Sequence, residues 1–415
     1  MSFAVHAAPP PGEWLNDPNG LIFIDGQWRL FVQHSAAAPD FKSIGWARLS
    51  SPDLLHWTFD GPVIAPDALG QAYSGSITVE GDALSAYLTR YDGKTQRQVG
   101  LTSYDAGATW HQGEPFGPEG SNVRDPFMFF CAATNDWLML VAEPCDWNEW
   151  ASDPPSTLSV WRQCNENWDF VARIGPWMDC GIMWEVPVLV DFGEHQALIV
   201  STVDRRRGDT RCAVRYWLGA FDGTTFTTQT AKEGLLLDHG PDFYAAIVDT
   251  ATGFGTRNRT LVAWASSWAT ARVMPWPGGV NGGPITLPRT LTIDAARGRL
   301  LQAPVVGVEP VASRLWDGHS LMTIDVTGHN CSLKLTLDAA GLIVTRHGLD
   351  GQLDWECRDT AAFAAGGDQT IDIFNDAGLI EIFIRPAGLT VTAFVPGADL
   401  SLMPIRYAPL SASRS

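Results

Sequence analysis

Residues 16–33 read NDPNGLIFIDGQWRLFVQ, which is a polar corner, an apolar strand, a turn and a second apolar strand. The same order of features recurs as YSGSITVEGDALSAYLTRY, RDPFMFFCAATNDWLMLVAE, WEVPVLVDFGEHQALIVST and DFYAAIVDTATGFGTRNRTLVAWAS. The corners begin near residues 16, 73, 124, 185 and 242, so the repeat step is about 57 residues. Self-similarity at a fixed period of this size is the signature of an architecture built from equal units.

A second unit lies between these copies and has the same period. It is a strand, a polar turn and then an aromatic residue, as in WARLSSPDLLHW (46–57), LTSYDAGATWHQ (101–112), LSVWRQCNENWDF (158–170) and YWLGAFDGTTFTT (216–228), with a degenerate copy at LTIDAARGRLLQAP (291–304). Five copies of four strands, with almost no helical periodicity, predict a five-bladed β-propeller. A β-sandwich also has many short strands, but it does not need this period.

The repeat stops near residue 305. HSLMTIDV, CSLKLTLDAAGLIVTR, QTIDIFNDAGLIEIFI and LTVTAFV then alternate apolar and polar residues, which is typical of antiparallel strands with one exposed face. A segment of about 110 residues of this kind suits one β-sandwich. We therefore predict an all-β chain with a propeller catalytic domain at residues 1–304 and a β-sandwich domain at residues 305–415, divided near LLQAPVVGVEP (300–310).

Composition excludes several classes of function. The 415 residues carry a formal net charge of −18, which disfavours nucleic acid as a partner because phosphate binding needs clustered Lys and Arg. No apolar run reaches the roughly 18 residues of a membrane span. The seven cysteines lack a CxxC pair and the histidines lack metal spacing, so we expect reduced thiols, no metal and no cofactor. These features favour a cytoplasmic protein, although a secreted chain without its leader would read the same.

Carboxylates recur at the polar corners. The first strand of each propeller blade lines the central channel, so corners of equal phase meet around one mouth of it. The corners supply Asp17, Asp125, Glu185 and Asp242. Asn-Asp-Pro-Asn-Gly has the composition of an ordinary turn, and we expect the repeat to aim this turn at the axis. Converging carboxyls, one ionised and one protonated, can cleave glycosides.

At these residues the chain resembles glycoside hydrolase family 32, the invertases, inulinases and levanases. The matching elements are WLNDPNG (14–20), Gln33, YSGSI (73–77), RDP (124–126), WEVP (184–187), DFYAA (242–246) and LPRTL (287–291). They occur in the family's order along the whole predicted propeller, and residues 371–384 faintly resemble its sandwich hairpin.

The resemblance implies a retaining β-fructofuranosidase that acts on sucrose and short fructo-oligosaccharides through a covalent fructosyl-enzyme. By position, Asp17 would be the nucleophile, Glu185 the general acid and base, and Asp125 the transition-state stabiliser. The residues expected to line the fructose subsite are Asn16, Gln33, Trp46, Ser74, Arg124, Asp242 and Trp264. The partner would be a small neutral sugar, and both a monomer and a homodimer remain open.

Three departures from the family pattern affect the rim of the expected site. Val186 stands where the family has a cysteine beside the acid, and Trp46–Leu49 lacks the usual Gly-His pair. Phe41 stands where a tryptophan on the leaving-group side is frequent. These changes leave the pH optimum and the leaving-group preference open, including the choice among sucrose, inulin, levan and sucrose phosphate.

Other functions are compatible with the same motifs. A fructosyltransferase would use the same residues and pass fructose to a sugar rather than to water. An arabinan-cleaving, inverting propeller is disfavoured by the NDPNG element and the C-terminal sandwich. A non-catalytic carbohydrate-binding propeller would be expected to lack one of the three carboxylates, and all three are present.

Overall fold

The computed structural model describes residues 2–36, 40–144, 155–165, 167–178, 182–206, 210–249, 259–305, 307–348, 351, 353–360, 367–398 and 406–407. Within these ranges the chain forms thirty β-strands and a single 3-10 turn, Pro277–Gly279. The predicted all-β class is therefore confirmed. The five cysteines that are described are free, while Cys145 and Cys180 lie outside these ranges. No helix among the described residues is long and apolar enough to cross a membrane.

The first 21 strands form five antiparallel sheets, each made from consecutive strands. Sheet 1 contains β1 (Trp14–Ile24), β2 (Gln27–Ser35), β3 (Gly45–Ser51) and β4 (Thr58–Ile64). Sheet 2 contains β5 (Gln71–Glu80), β6 (Ala83–Tyr91), β7 (Gln96–Ser103) and β8 (His111–Gly120). Sheet 3 contains β9 (Arg124–Cys131), β10 (Asp136–Glu143), β11 (Thr157–Cys164) and β12 (Asn167–Ile174).

The remaining two sheets of this part follow the same plan. Sheet 4 contains β13 (Ile182–Asp191), β14 (Gln196–Asp204), β15 (Arg211–Phe221) and β16 (Phe226–Thr228), with β17 (Leu235–Leu236) also paired to β15. Sheet 5 contains β18 (Tyr244–Val248), β19 (Arg259–Trp264), β20 (Arg289–Asp294) and β21 (Arg299–Pro304). Each sheet corresponds to one copy of the repeat in the sequence.

The first strands of the five sheets contact one another in a closed cycle. β1 contacts β5, β5 contacts β9, β9 contacts β13, β13 contacts β18, and β18 returns to β1. These strands are almost wholly buried, whereas outer strands such as β4 and β8 alternate or are mostly exposed. The sequence of a strand that is buried on both faces is almost continuously apolar. This explains why the repeat is most visible in the first strand of each sheet.

Two further sheets follow. One has the order β22 (Ala312–Trp316), β27 (Gln369–Asp376), β28 (Leu379–Arg385) and β29 (Leu389–Phe394). The other has the order β26 (Trp355–Asp359), β25 (Gly341–Gly348), β24 (Cys331–Asp338), β23 (Met322–Thr327) and β30 (Arg406–Tyr407). Inward-facing Ile, Leu and Val residues from both sheets form one core cluster. Their alternation with more exposed residues follows the period of two expected for strands.

Charged side chains join the first five sheets to the last two. Arg289 of β20 is fully buried and bonds to both Asp238 and Glu381. The N-terminal segment crosses to the same place, where His6 contacts Asp376 at 2.8 Å and Glu381 at 2.9 Å. A buried charge is tolerated only when it is paired and hydrogen-bonded, as it is here. The two parts of the chain are therefore joined by specific ionic contacts and not by apolar packing alone.

Candidate active site

Each of the five first strands carries a β-bulge. The first four polar corners contain these bulges, while in the fifth strand the bulge begins three residues after Asp242. Two residues on the first strand face one on its neighbour, namely Asn16 and Asp17 opposite Gln33, Tyr73 and Ser74 opposite Thr89, Asp125 and Pro126 opposite Val141, Val186 and Pro187 opposite Val200, and Ala245 and Ala246 opposite Ala263. The reading of Asn-Asp-Pro-Asn-Gly as a turn was wrong, because β1 continues through it. A bulge bends the strand and re-aims its side chains without ending the ladder.

Backbone conformation at the bulges is unusual. Asp125, Val186 and Ala245, the first bulge residues of their strands, have φ of 61°, 47° and 50°. Left-handed φ is disfavoured for residues with a Cβ and most of all for a β-branched one such as Val186. The freed amide of Val186 donates to Oδ2 of Asp125 at 3.0 Å, so the strained backbone serves the neighbouring carboxylate.

Asp17 lies in a closed set of polar side chains. Its Oδ2 accepts a hydrogen bond from Ser74 Oγ at 2.7 Å, and its Oδ1 accepts one from Asn16 Nδ2 at 3.1 Å. Asn16 is itself held by Trp14 Nε1 at 2.9 Å and by Gln33 Oε1. Burial raises the pKa of Asp17 to about 6, with a contribution from the charge of Glu185, while the bonds from Ser74 and Asn16 oppose this rise.

The two oxygens of Glu185 have different partners. Oε1 accepts hydrogen bonds from Nη2 and Nε of Arg124 at 2.9 and 3.1 Å, and Oε2 accepts one from the Tyr244 hydroxyl at 2.5 Å. Its side chain is 13% exposed, which makes it more open than Asp17. Arg124, Glu185 and Tyr244 each directly precede the bulge of their strand. Equivalent positions in three consecutive sheets therefore supply one hydrogen-bonded chain.

Asp125 is buried beside these groups, with 5% of its surface exposed. Its amide donates to Thr89 Oγ1 at 3.0 Å. Burial raises the pKa of Asp125, and the charges of Glu185 and Asp17 raise it further, while Arg124 opposes the rise. The three carboxylates are thus within electrostatic reach of one another, and one guanidinium does not neutralise all three. The pKa values of Asp17 and Asp125 are both raised for this reason in addition to their burial.

The structure divides the other predicted site residues into two groups. Asn16, Gln33, Ser74 and Arg124 contact the carboxylates directly or through one partner. Trp46 and Trp264 are fully buried, and their indole nitrogens donate to the carbonyl oxygens of Tyr73 and Gly282, both at 3.0 Å. These two side chains support the backbone around the carboxylates and present no free surface.

Asp242 occupies a different place from the one expected. Its fully buried Oδ2 accepts hydrogen bonds from Arg346 of β25 at 2.6 Å and from the amide of Phe394 at 2.8 Å. The residue also precedes β18, which begins at Tyr244. Its carboxylate therefore joins sheet 5 to the C-terminal sheets instead of pointing to the set formed by Asp17, Asp125 and Glu185.

Sequence reasoning missed three residues of the site. Tyr244 binds Glu185, Thr89 binds the amide of Asp125, and Asn19 binds the amide of Gly75 at 3.2 Å. A signal for Tyr244 was present, because it stands three residues before Ile247 as Glu185 stands three before Val188. Alignment of the corners by their following apolar residues would have selected Tyr244 in place of Asp242.

A family model described as the N-terminal domain of glycosyl hydrolases family 32 matches residues 6–304. The chain belongs to glycosyl hydrolase family 32. Among family 32 relatives, it is 27% identical to a levanase of Bacillus subtilis over 345 residues, covering 77% of this chain and 49% of the levanase. It is 25% identical to the extracellular exo-inulinase of Aspergillus ficuum over 369 residues, covering 74% of this chain and 65% of the relative. The chain therefore spans about half to two thirds of the length of these relatives.

Solved structures of family 32 proteins share the fold. The fructofuranosidase of Schwanniomyces occidentalis, complexed with fructose, superposes with a TM-score of 0.79 at 18% identity, covering 98% of this chain and 95% of that one. A likeness at this identity concerns the fold, and it extends over the five sheets and the two that follow them.

Proposed function

We propose that the protein is a retaining β-fructofuranosidase that hydrolyses the terminal β-D-fructofuranosyl bond of sucrose and short fructo-oligosaccharides. The observation that carries this proposal is the proximity of Asp17, Asp125 and Glu185, which come from three different sheets. The amide of Val186, next to Glu185, donates to Asp125, and the charge of Glu185 acts on both Asp17 and Asp125. Family membership supports a fructosyl bond as the target. The levanase and exo-inulinase among its relatives support the same substrate class.

We assign sheets 1–5 as the blades of a five-bladed β-propeller and the two last sheets as a β-sandwich. The closed cycle of contacts among β1, β5, β9, β13 and β18 supports the propeller. The division proposed at residues 304 and 305 follows the end of β21 at Pro304 and precedes β22, which begins at Ala312. In this assignment the bulges form a ring at one mouth of the central channel, and the substrate enters from that mouth.

In the first chemical step, an ionised Asp17 attacks the anomeric carbon of the fructosyl group. A protonated Glu185 gives its proton to the bridging oxygen, so that this bond breaks and glucose leaves as a neutral sugar. The fructosyl group remains as an ester of Asp17. Two carboxyl groups in these roles define the retaining mechanism. The bonds from Ser74 and Asn16 favour the ionised form of Asp17, as a nucleophile requires.

In the second step, Glu185 acts as the base. It takes a proton from a water molecule, the hydroxide oxygen bonds to the anomeric carbon, and Asp17 leaves as a carboxylate. Both steps pass through a state with positive charge on the fructosyl ring, which nearby carboxylates stabilise. Asp125 would accept hydrogen bonds from fructose hydroxyls and contribute to this stabilisation.

Arg124 and Tyr244 would hold Glu185 in place through both steps. The guanidinium binds Oε1 through two nitrogens, which fixes the plane of the carboxylate. Tyr244 binds Oε2, and the phenol remains a donor because burial raises the pKa of Tyr244 well above its ordinary value. Orientation of the acid is needed because a small displacement of a catalytic group lowers the rate strongly.

The proposal is tested by incubating the protein with sucrose, 1-kestose, inulin and levan, and measuring fructose and transfer products. Release of fructose, first appearing as the β-anomer by NMR, is the expected result. Asp17→Asn and Glu185→Gln should each lower sucrose turnover by several orders of magnitude while circular dichroism stays unchanged. Wild-type turnover by either variant, or first release of the α-anomer, would contradict the mechanism. Release of arabinose from arabinan without any fructose would contradict the substrate class.

A further inference from the structure

A second groove lies between sheets 2 and 3 and runs from Tyr87 of β6 to the outer strand β8. It has a volume of about 450 Å³ and is bounded by β7, β8 and the β11–β12 hairpin. Gly113, Glu114 and Phe116 of the groove lie on β8, which is about 14 Å from β5 across sheet 2 at about 4.8 Å per strand spacing, whereas Tyr87 of β6 pairs with Ser76 of β5.

Aromatic rings form one wall of this groove. Phe116 stacks on Trp168 with ring centroids 5.2 Å apart and planes 26° apart, and the ring of Tyr87 meets Phe116 edge-on. Tyr104 stands at the end of the groove with 75% of its surface exposed. Large exposed aromatic groups are unfavourable in water unless a partner covers them, and their faces suit flat apolar surfaces with polar edges.

Two glycines form the floor. Gly100 of β7 and Gly113 of β8 lie side by side, because a Cβ added to Gly113 would be 3.6 Å from the carbonyl oxygen of Gly100. Neither residue has a positive φ, so the backbone does not require glycine at either position. Glycine inside a strand often marks a place where a ligand approaches closely. The absent side chain of Gly100 lets the rings of Phe116 and Tyr87 pack directly over this strand, since a Cβ there would be 3.4 and 3.9 Å from them. At Gly113 the surface stays open, because no side-chain atom of the described residues lies within 4 Å of its Cβ position.

Polar side chains line the rim of the groove, and few of its residues are charged. Gln163, His111 and Glu114 are exposed beside the rings, and Thr102 adds a hydroxyl. None of the described residues that line the groove is a lysine or an arginine. An anionic ligand would therefore lack a counter-charge, whereas a neutral molecule with many hydroxyls would find hydrogen-bond partners. Sugar rings combine such hydroxyls with a C–H face that packs on aromatic rings.

We infer that this groove, hereafter the outer groove, is a second carbohydrate-binding site that holds a segment of a β-linked fructan chain. The inference rests on the proposed function, and it extends the substrates from sucrose and short fructo-oligosaccharides to longer chains of the same fructosyl units. The part of the outer groove on β8 is about 14 Å from β5 across sheet 2, so a polymer can contact β8 and the carboxylates together and a disaccharide cannot. Binding at a second site raises the local concentration of chain ends, so the outer groove would favour polymeric over disaccharide substrates.

The outer groove is tested by affinity electrophoresis in gels containing levan, inulin or dextran. The Glu185→Gln protein is used so that the polymer is not digested, and we expect levan or inulin to retard it. Gly113→Leu fills the floor without strain, and we expect it to weaken the affinity for fructan at least fivefold. Tyr104→Ala should weaken the affinity about fivefold through the loss of one stacking ring.

Matched variants control for changes in folding. Gly113→Ala changes the same backbone position but leaves the space open, and Phe23→Ala removes an exposed aromatic ring elsewhere. Both should keep the affinity of the Glu185→Gln protein within twofold. Equal retardation of Gly113→Leu and Gly113→Ala would overturn the inference. Equal retardation by dextran, or no retardation by either fructan, would overturn it as well.

Kinetics on the active protein separate this inference from the proposed function. With intact Glu185, Gly113→Leu should hydrolyse sucrose within twofold of the wild-type rate and lose several-fold in kcat/KM on levan or inulin. The protein could prove inactive on every fructoside and still bind fructan in a way that depends on Gly113. That result would refute the proposed function but would support the outer groove as a binding site. Normal activity of Gly113→Leu on levan and inulin would refute the role of the outer groove and leave the proposed function unaffected.

Discussion

The Tyr244 hydroxyl lies 2.5 Å from Oε2 of Glu185 and is its hydrogen-bond donor. The two residues belong to neighbouring sheets and each directly precedes the bulge of its strand. Arg124, at the equivalent position one sheet earlier, occupies the other oxygen of the same carboxylate. The repeat therefore places three different side chains at equivalent positions in neighbouring sheets, where hydrogen bonds connect them.

Removal of the Tyr244 hydroxyl should slow catalysis more than it weakens binding. A hydrogen bond to a charged group contributes about 1.5–3 kcal/mol, so Tyr244→Phe should lower kcat on sucrose by roughly 10- to 100-fold. KM should change little, because the hydroxyl contacts Glu185 and not fructose in the proposed arrangement. Steady-state kinetics test this. Tyr216→Phe, which removes a buried hydroxyl that accepts from the Leu300 amide, should lower stability and leave kcat unchanged.

The hydrogen bond from Ser74 should determine the pH at which kcat/KM falls on the acid side, or acid limb, of its pH profile. The pKa of Asp17 is raised to about 6, and the ionised form is the nucleophile, so kcat/KM should fall as pH drops through about 6. The hydrogen bond from Ser74 lowers this pKa, so Ser74→Ala should move the limb to higher pH. Ser76→Ala, in the same strand, removes bonds to β9 backbone and should leave the limb in place. An unmoved limb in Ser74→Ala would contradict the assignment of Asp17.

Asp242 should act on stability and not on substrate binding. Breaking a buried ion pair by removing one partner costs about 3–5 kcal/mol, so Asp242→Ala should lower the free energy of unfolding by about that amount. The partner change Arg346→Ala should have a similar effect, because the two groups lie 2.6 Å apart in a buried contact. Denaturant unfolding and KM for sucrose test the prediction together. A raised KM at unchanged stability would instead support the substrate-binding role expected from the sequence.

His6 should make the stability of the protein depend on alkaline pH. Its hydrogen bonds to Asp376 and Glu381 outweigh the effect of burial and raise its pKa from 6.5 to about 9. The charged form is favoured by folding, so this contribution is complete below about pH 6.5 and is lost as pH rises through 9. Denaturant unfolding between pH 6 and 10 should show a steeper decline for the wild type than for His6→Gln. Equal slopes would show that His6 is not charged in the folded protein.

Much of this molecule could be predicted from the repeat. The period located the first strand of each sheet, and the expectation that Asp17, Asp125 and Glu185 lie near one another followed from it, because the bulges of equal units face one centre even though the three residues occupy different positions around them. The prediction relied on residues 16–33 and their copies, where burial on both faces produces continuous apolar runs. Such runs are distinct enough to be aligned by eye.

The errors have one physical origin. A bulge adds a residue to one strand without any necessary change in composition, so NDPNG and DFYAA could be read as turns or aligned two residues too early. Asp242 was selected for its charge, while the residue in phase with Glu185 is Tyr244. Trp46 and Trp264 were expected at a sugar surface because aromatic residues serve both as core and as platforms, and only coordinates separate the two uses.

The attachment of residues 4–6 to Asp376 and Glu381 affects the order in which the chain can fold during its synthesis. These contacts join positions 370 to 375 residues apart, and the cycle of first strands closes only where β18 meets β1. During synthesis β1 can pair early with β2, but its contact with β18 forms only after the sheets between them have been made. Closure of the cycle, and any activity that depends on it, therefore waits for β18, and the ionic contacts of His6 wait for β27 and β28.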